Sequence, residues 1–268
     1  MFKSVLIFIA VMVFGAVVWT IFLTRPMESE ARMVSLVLSR GPFTVYDFPS
    51  GKAETTAVII FASGDGGWDT LEEDIGQNLS SSGYTVIGID SRLYAKTDYD
   101  LAILQEDFTR IAQSAEESFG KRPVPLIVGG YSMGAAQAIA VGGGPKPPPG
   151  LVGLIVVDPC DRGRYGLRTQ DQLDVLPSGP GTFAMEEFAT TMRGLRVVQW
   201  HATDDRIDSV KWLDVLTAPH RLFNSAGNGH EYEDKRDAFL AQFVASIDWI
   251  LHPELAGKVA TEKPGEPR

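Results

Sequence analysis

The segment Gly130-Tyr131-Ser132-Met133-Gly134 sets a serine between two glycines, after an apolar run at 124–128 and before a small-residue stretch at 135–141. A strand, a sharp turn and a helix in that order expose a nucleophilic hydroxyl, and the chemistry this allows is acyl transfer through a serine ester. Glycine is needed on both sides because the turn is strained and its backbone passes close to its neighbours, with no room for a Cβ. Ser132 then lies where a helix N-terminus favours developing negative charge. The competing reading is a glycine-rich turn without chemistry, which a chain with 27 glycines can contain by chance.

A serine is a weak nucleophile at neutral pH and needs a general base that is itself oriented by an acid. The chain has four histidines. His230, in Gly227-Asn228-Gly229-His230-Glu231, follows an expected strand and precedes the last expected helix, the place where an α/β-hydrolase presents its base. His201 ends a strand, His220 opens one and His252 lies near the tail. Asp205 is the leading acid because His201-Ala202-Thr203-Asp204-Asp205-Arg206-Ile207 follows a strand at its carboxyl end and gives the chain order Ser, Asp, His. Asp204 competes with it, and either carboxylate could instead cap a helix or close a turn.

Tetrahedral intermediates also need backbone N–H donors aimed at their oxygen. One donor is expected from Met133, directly after the nucleophile. The other is expected from Ser63-Gly64-Asp65-Gly66-Gly67-Trp68, which follows an early strand, with Asp65 or Gly66 as the donor. An Asp65 carboxylate would oppose a developing oxyanion unless turned toward a hydrogen-bonded neighbour or a cationic substrate group, so Asp65 and Trp68 are read as substrate-binding positions.

The elements that must position these groups alternate as a parallel sheet flanked by helices requires. Strands are expected at 43–48, 57–61, 84–89, into Ser132, 151–157, 195–200 and 220–223. Leu71, Ile75 and Leu79 mark a helix that stops at Gly83, a second amphipathic helix runs from Leu101 to Phe119, and the last spans 232–251. Gly142 to Gly150 reads as a connector, since three consecutive prolines continue neither a helix nor a central strand. Residues 161–194, with a weak helical pattern through Met185, Phe188 and Met192, are long enough for a small lid and too short for a domain. The hydrolase domain is expected over 40–252, ahead of a disordered tail at 253–268.

Before it, Val5 to Leu23 is an almost uninterrupted apolar run, long enough to cross a hydrocarbon core of about 30 Å as a helix. Two readings stay open for residues 1–24, an uncleaved transmembrane anchor and a cleaved signal, and both export the domain. The balance of 34 acidic against 24 basic residues, a net charge of −10, argues against nucleic acid as a partner and against a polybasic membrane patch. A single cysteine, Cys160, excludes an internal disulfide and a thiolate metal cluster. No metal or organic cofactor is required by a serine mechanism.

FASGDGGW together with IGIDSRLY and GGYSMGA resembles the VirJ/AcvB-type bacterial virulence protein domain, an α/β-hydrolase family. The resemblance covers roughly 43–250. It implies an α/β-hydrolase fold with a mostly parallel sheet and helices on both faces, Ser132, Asp205 and His230 as a catalytic triad, and Asp65 in the family's glycine-rich loop. It implies an exported protein, periplasmic or at the inner membrane, that hydrolyses aminoacyl-phosphatidylglycerol and releases lysine or alanine. A generic exported esterase or lipase, and a non-catalytic accessory protein for virulence or secretion that keeps only the fold, are the alternatives.

Overall fold

The computed structural model describes residues 31–119, 122–172, 175–207 and 209–252. The expected membrane helix and the expected C-terminal tail lie outside them. Among the described residues no helix is long and apolar enough to cross a membrane.

The described residues open with a hairpin, β1 (Arg32–Leu38) and β2 (Gly41–Phe48), so the sheet begins ahead of residue 40. Then follow β3 (Val58–Ala62), α1 (Thr70–Ser82), β4 (Thr85–Ile89), the short α2 (Ser91–Tyr94), α3 (Leu101–Glu117), β5 (Leu126–Tyr131), α4 (Met133–Gly143) and β6 (Leu151–Val157). Strands β7 (Arg162–Arg164) and β8 (Thr182–Ala184) form a separate two-stranded sheet, and α5 (Glu186–Ala189), β9 (Arg196–Ala202), β10 (His220–Ser225) and α6 (Arg236–Leu251) complete the chain. The main sheet has eight strands in the order β1-β2-β4-β3-β5-β6-β9-β10. Its first two pairings are antiparallel and the other five are parallel.

The central strands are buried on both faces, which is why they read as continuous apolar runs instead of alternating ones. Successive side chains still point to opposite sides, and each side meets its own helices. Ile60, Val128 and Leu154 pack with Phe108 and Ile111 of α3 and Ile139 of α4. Ile59, Phe61, Ile127 and Ile155 pack with Ile75 and Leu79 of α1 and with Phe239, Phe243 and Ile247 of α6. The α/β-hydrolase architecture with helices on both faces follows directly from that two-sided burial.

Helix α1 starts at a capping box, in which the Asp69 side chain and Glu72 each take the other's backbone N–H, and it ends at Gly83 with φ 105°. Most strand ends shift by one or two residues from expectation, and three larger differences have local reasons. Helix α4 continues through Gly143, so the connector is shorter than the glycine and proline run suggests. Met185, Phe188 and Met192 are all buried in the core, but only Glu186–Ala189 is helical, so their spacing records packing more than helix length. The last helix begins at Arg236 and not at Tyr232, because Tyr232 has φ 52°, a left-handed conformation that cannot continue a right-handed helix.

Candidate active site

Ser132 occupies the turn between β5 and α4 with φ 51° and ψ −112°, a strained conformation for a residue with a side chain. Its N–H is held by the Val157 carbonyl at 2.8 Å, and its own carbonyl accepts from Ala136 at 3.2 Å. The flanking glycines are dictated by close approach. A Cβ on Gly134 would stand 2.1 Å from the Ala62 carbonyl oxygen, and one on Gly130 would stand 2.3 Å from the Gly134 carbonyl carbon. Met133, at the first turn of α4, has an amide ahead of the helical ladder, as an anion-binding N-terminus requires.

Across the sheet edge, the Nδ1 of His230 lies 2.5 Å from Oδ2 of Asp205. The second Asp205 oxygen accepts from the Ile207 amide at 2.8 Å. Burial works against ionisation of Asp205, but the hydrogen bond to His230, the Ile207 amide and the charge of His230 outweigh it and hold this carboxyl below the usual range. Asp204 is exposed and takes the Thr203 hydroxyl instead. The histidine loop is shaped by buried Asn228, which binds the Ser225 hydroxyl at 2.8 Å, the Lys235 amide at 2.9 Å and, through its carbonyl, the Asp204 amide at 3.1 Å. The Tyr131 hydroxyl donates to the His230 carbonyl at 3.0 Å, and the two rings lie 4.9 Å apart. The residue before the serine therefore holds the loop that carries the histidine.

Ser132, Met133, Asp65 and His230 line one cavity of about 660 Å³. Its other wall comes from the segment after β6 and from 206–211, and Val175 and Leu176 on that wall are 59% and 46% exposed. Of the remaining sequence candidates, Gly66 lies outside the lining and its carbonyl accepts from Arg92 at 3.4 Å. Trp68 is not in the cavity either. It stacks on Tyr46 with centroids 4.7 Å apart, its indole N–H donates to Glu73, and Gly88 leaves space for its ring.

The glycine-rich loop and the Asp90-Ser91 strand end are joined by buried hydrogen bonds. The Ser91 amide donates to the Ser63 hydroxyl at 3.0 Å, the Ser91 hydroxyl meets Gln137 of α4 at 3.0 Å, and Gln137 donates to the Tyr99 hydroxyl at 2.9 Å. Three separated sequence motifs thus belong to one scaffold beneath the cavity. Glu72, buried in α1, accepts from Gly64 and Asp69, each at 3.2 Å, and fixes the loop from below. Its only sequence signal is the capping-box spacing from Asp69.

Asp158, Asp205 and His230 offer potential ligand atoms that all lie within 4.8 Å of one another. The 2.5 Å between Asp205 and His230 suits a shared proton better than an ion, whose bonds of about 2.1 Å would hold two ligand atoms further apart.

Residues 56–141 match the family model described as the bacterial virulence protein VirJ. None of the curated protein sequences matches the chain. Among solved structures, the esterase domain of a Rhodothermus marinus protein superposes with a TM-score of 0.62 at 16% identity, covering 83% of this chain and 98% of that one. A soluble variant of monoglyceride lipase from Saccharomyces cerevisiae gives 0.60 at 15% identity, with coverages of 84% and 97%. An alpha-beta serine hydrolase homologue from Coxiella burnetii gives 0.57 at 14% identity, with coverages of 84% and 100%. At such identities the likeness is one of fold. The chain is an α/β-hydrolase-fold protein with a VirJ-type segment spanning its first glycine-rich loop and the Ser132 turn.

Proposed function

We propose that the protein is a carboxylic ester hydrolase in which Ser132 is the nucleophile, His230 the general base and Asp205 the acid that orients it. The observation that carries this reading is the His230–Asp205 hydrogen bond at the edge of a cavity also lined by Ser132. In the proposed cycle, Ser132 Oγ bonds to the ester carbonyl carbon as His230 takes its proton. The tetrahedral oxygen is received by the N–H groups of Met133 and Asp65, the Gly64 N–H being engaged by Glu72. His230 then protonates the leaving alcohol as the ester C–O bond breaks, and water repeats the sequence on the acyl-serine.

The substrate proposed is the aminoacyl ester of aminoacyl-phosphatidylglycerol, lysyl or alanyl, met at the outer face of the inner membrane by a domain tethered through its N-terminal apolar segment. Charge in the cavity supports a zwitterionic headgroup. The whole chain carries −10, yet the lining balances Arg162, Arg164, Arg206 and Lys211 against Asp65, Asp161, Asp171 and Glu231. Arg164 is paired with Asp171 and Lys211 with Asp161, and Arg162 donates to the Pro177 carbonyl and the Thr182 hydroxyl, whereas Arg206 has no ion pair among the described residues and is the cation we assign to a phosphodiester. The exposed Val175 and Leu176 favour a second reading, an esterase for acyl chains.

One assay separates the two. Purified protein is incubated with lysyl- and alanyl-phosphatidylglycerol in vesicles and with p-nitrophenyl acyl esters, and free amino acid and nitrophenol are counted. Release of amino acid that falls by at least ~10³ in Ser132→Ala is expected. Faster cleavage of acyl esters would favour the second reading, and unchanged release by Ser132→Ala would remove both.

A further inference from the structure

Among the described residues, three that are not glycine have positive φ, namely Ser132 at 51°, Asp158 at 46° and Tyr232 at 52°. Strain of this kind persists where surrounding structure holds it, and it gathers at sites of function. Ser132 is the turn of the nucleophile and Tyr232 closes the histidine loop, but Asp158 has no part in the mechanism above. Its side chain is fully buried and does not line the cavity.

Asp158 follows the last residue of β6, the strand between β5, which leads to Ser132, and β9, which leads to Asp205. The carbonyl just before it, that of Val157, accepts the Ser132 N–H at 2.8 Å, and its own N–H donates to Trp200 at 3.1 Å. Its Oδ1 accepts from the Ala202 amide at 2.9 Å, and the Ala202 carbonyl accepts from the Asp205 amide at 3.0 Å. A carboxylate oxygen of Asp158 lies within 4.8 Å of both an Asp205 oxygen and a His230 nitrogen.

We propose that Asp158 is a positioning residue of the catalytic base: it fixes the strand end that presents Asp205 and adds a second buried negative charge that raises the basicity of His230. This rests on the reading of Ser132, His230 and Asp205 as a triad. Two buried carboxylates this close repel one another when both are ionised, and an imidazolium formed beside them relieves that repulsion. The charge of Asp158 therefore favours the protonated state that His230 reaches as Ser132 attacks.

The other titratable and charged groups near His230 are Asp205 from the loop after β9, Glu231 on its own loop, Tyr131 from β5, and Asp65, His201 and Arg206, which share the cavity. Glu72 of α1 bears on Tyr131 through its charge. The Tyr131 hydroxyl stays neutral, because burial and then the charges of Glu231, Asp158, Glu72 and Asp205 push its ionisation well above the usual phenol range.

The test is the pH profile of kcat/KM for ester hydrolysis by the full chain. Asparagine keeps an oxygen for the Ala202 amide and removes only the charge, so Asp158→Asn should move the acidic limb about one unit to lower pH. Asp205→Asn should retain activity above that of Ser132→Ala, and adding Asp158→Asn to it should cost a further ~10-fold or more. An unmoved acidic limb, or a double variant no slower than Asp205→Asn, would overturn the inference while leaving the triad intact. Failure of the triad itself would appear separately, as undiminished activity in Ser132→Ala. If Asp158→Asn does not fold, the His230 imidazole is titrated by NMR in Asp205→Asn. A pKa above about 6.5 is expected there, and a value at or below it overturns the inference.

Discussion

Glu72 is the residue on which the glycine-rich loop rests, and its environment makes it sensitive to pH. Burial raises its carboxyl from 4.5 to about 7, against the lowering effect of the Gly64 and Asp69 amides. Between those values the folded chain keeps a proton that the unfolded chain has released, so this contribution to stability is full below 4.5 and is lost as pH rises through 7. Denaturant unfolding of the wild type and of Glu72→Gln across this window should show a stability difference that moves against the wild type as pH rises. A difference that stays flat would contradict the assignment. At this scale the sequence was legible where a residue's neighbours in the chain set its local geometry. Ser132 is marked by its glycines and His230 by its loop, and Asp205 by its place after a strand end, next to the competing Asp204. The placement of Asp158 beside Asp205 and His230 was not legible, because it comes from two neighbouring strands that are distant in sequence.

At the scale of elements, the strands and helices that carry the site follow from apolar periodicity, and the strand 151–157 was read with its boundaries intact. The stretch 161–194 was not, since β7 and β8 have three residues each and a 3-10 turn at Thr169–Gln172 has no periodic signature. What organises this segment is one buried ion pair. Arg164 meets Asp171 through Nε at 2.7 Å and a second nitrogen at 3.3 Å, with both side chains under 10% exposed, and it also binds the carbonyls of Ser178 and Pro180. Arg164→Met leaves the Asp171 carboxylate buried without its partner, which costs about 3–5 kcal/mol. Denaturant unfolding and limited proteolysis between 161 and 184 should report that loss, together with a raised KM as the cavity wall loosens. Arg164→Met combined with Asp171→Leu should recover most of the stability, and a single variant as stable as the wild type would refute this role for the pair.

For the whole molecule, the sheet order brings together groups that the chain keeps far apart. Strands β5, β6 and β9 are neighbours, so the turn bearing Ser132 and the loop bearing Asp205 emerge at the same edge, and β10 adds the loop bearing His230. The parallel sheet was readable from the alternation of strands and helices, whereas the balanced charge of the cavity inside an acidic chain was not, because it depends on which side chains face inward. The central claim is that these three loops make Ser132 Oγ a nucleophile. The most direct measurement is labelling of the folded protein with a fluorophosphonate, followed by mass analysis of its peptides. A single adduct on Ser132, slowed in His230→Ala and lost in Ser132→Ala, is the result this account predicts. No adduct on the folded protein, or one that persists in Ser132→Ala, would contradict it.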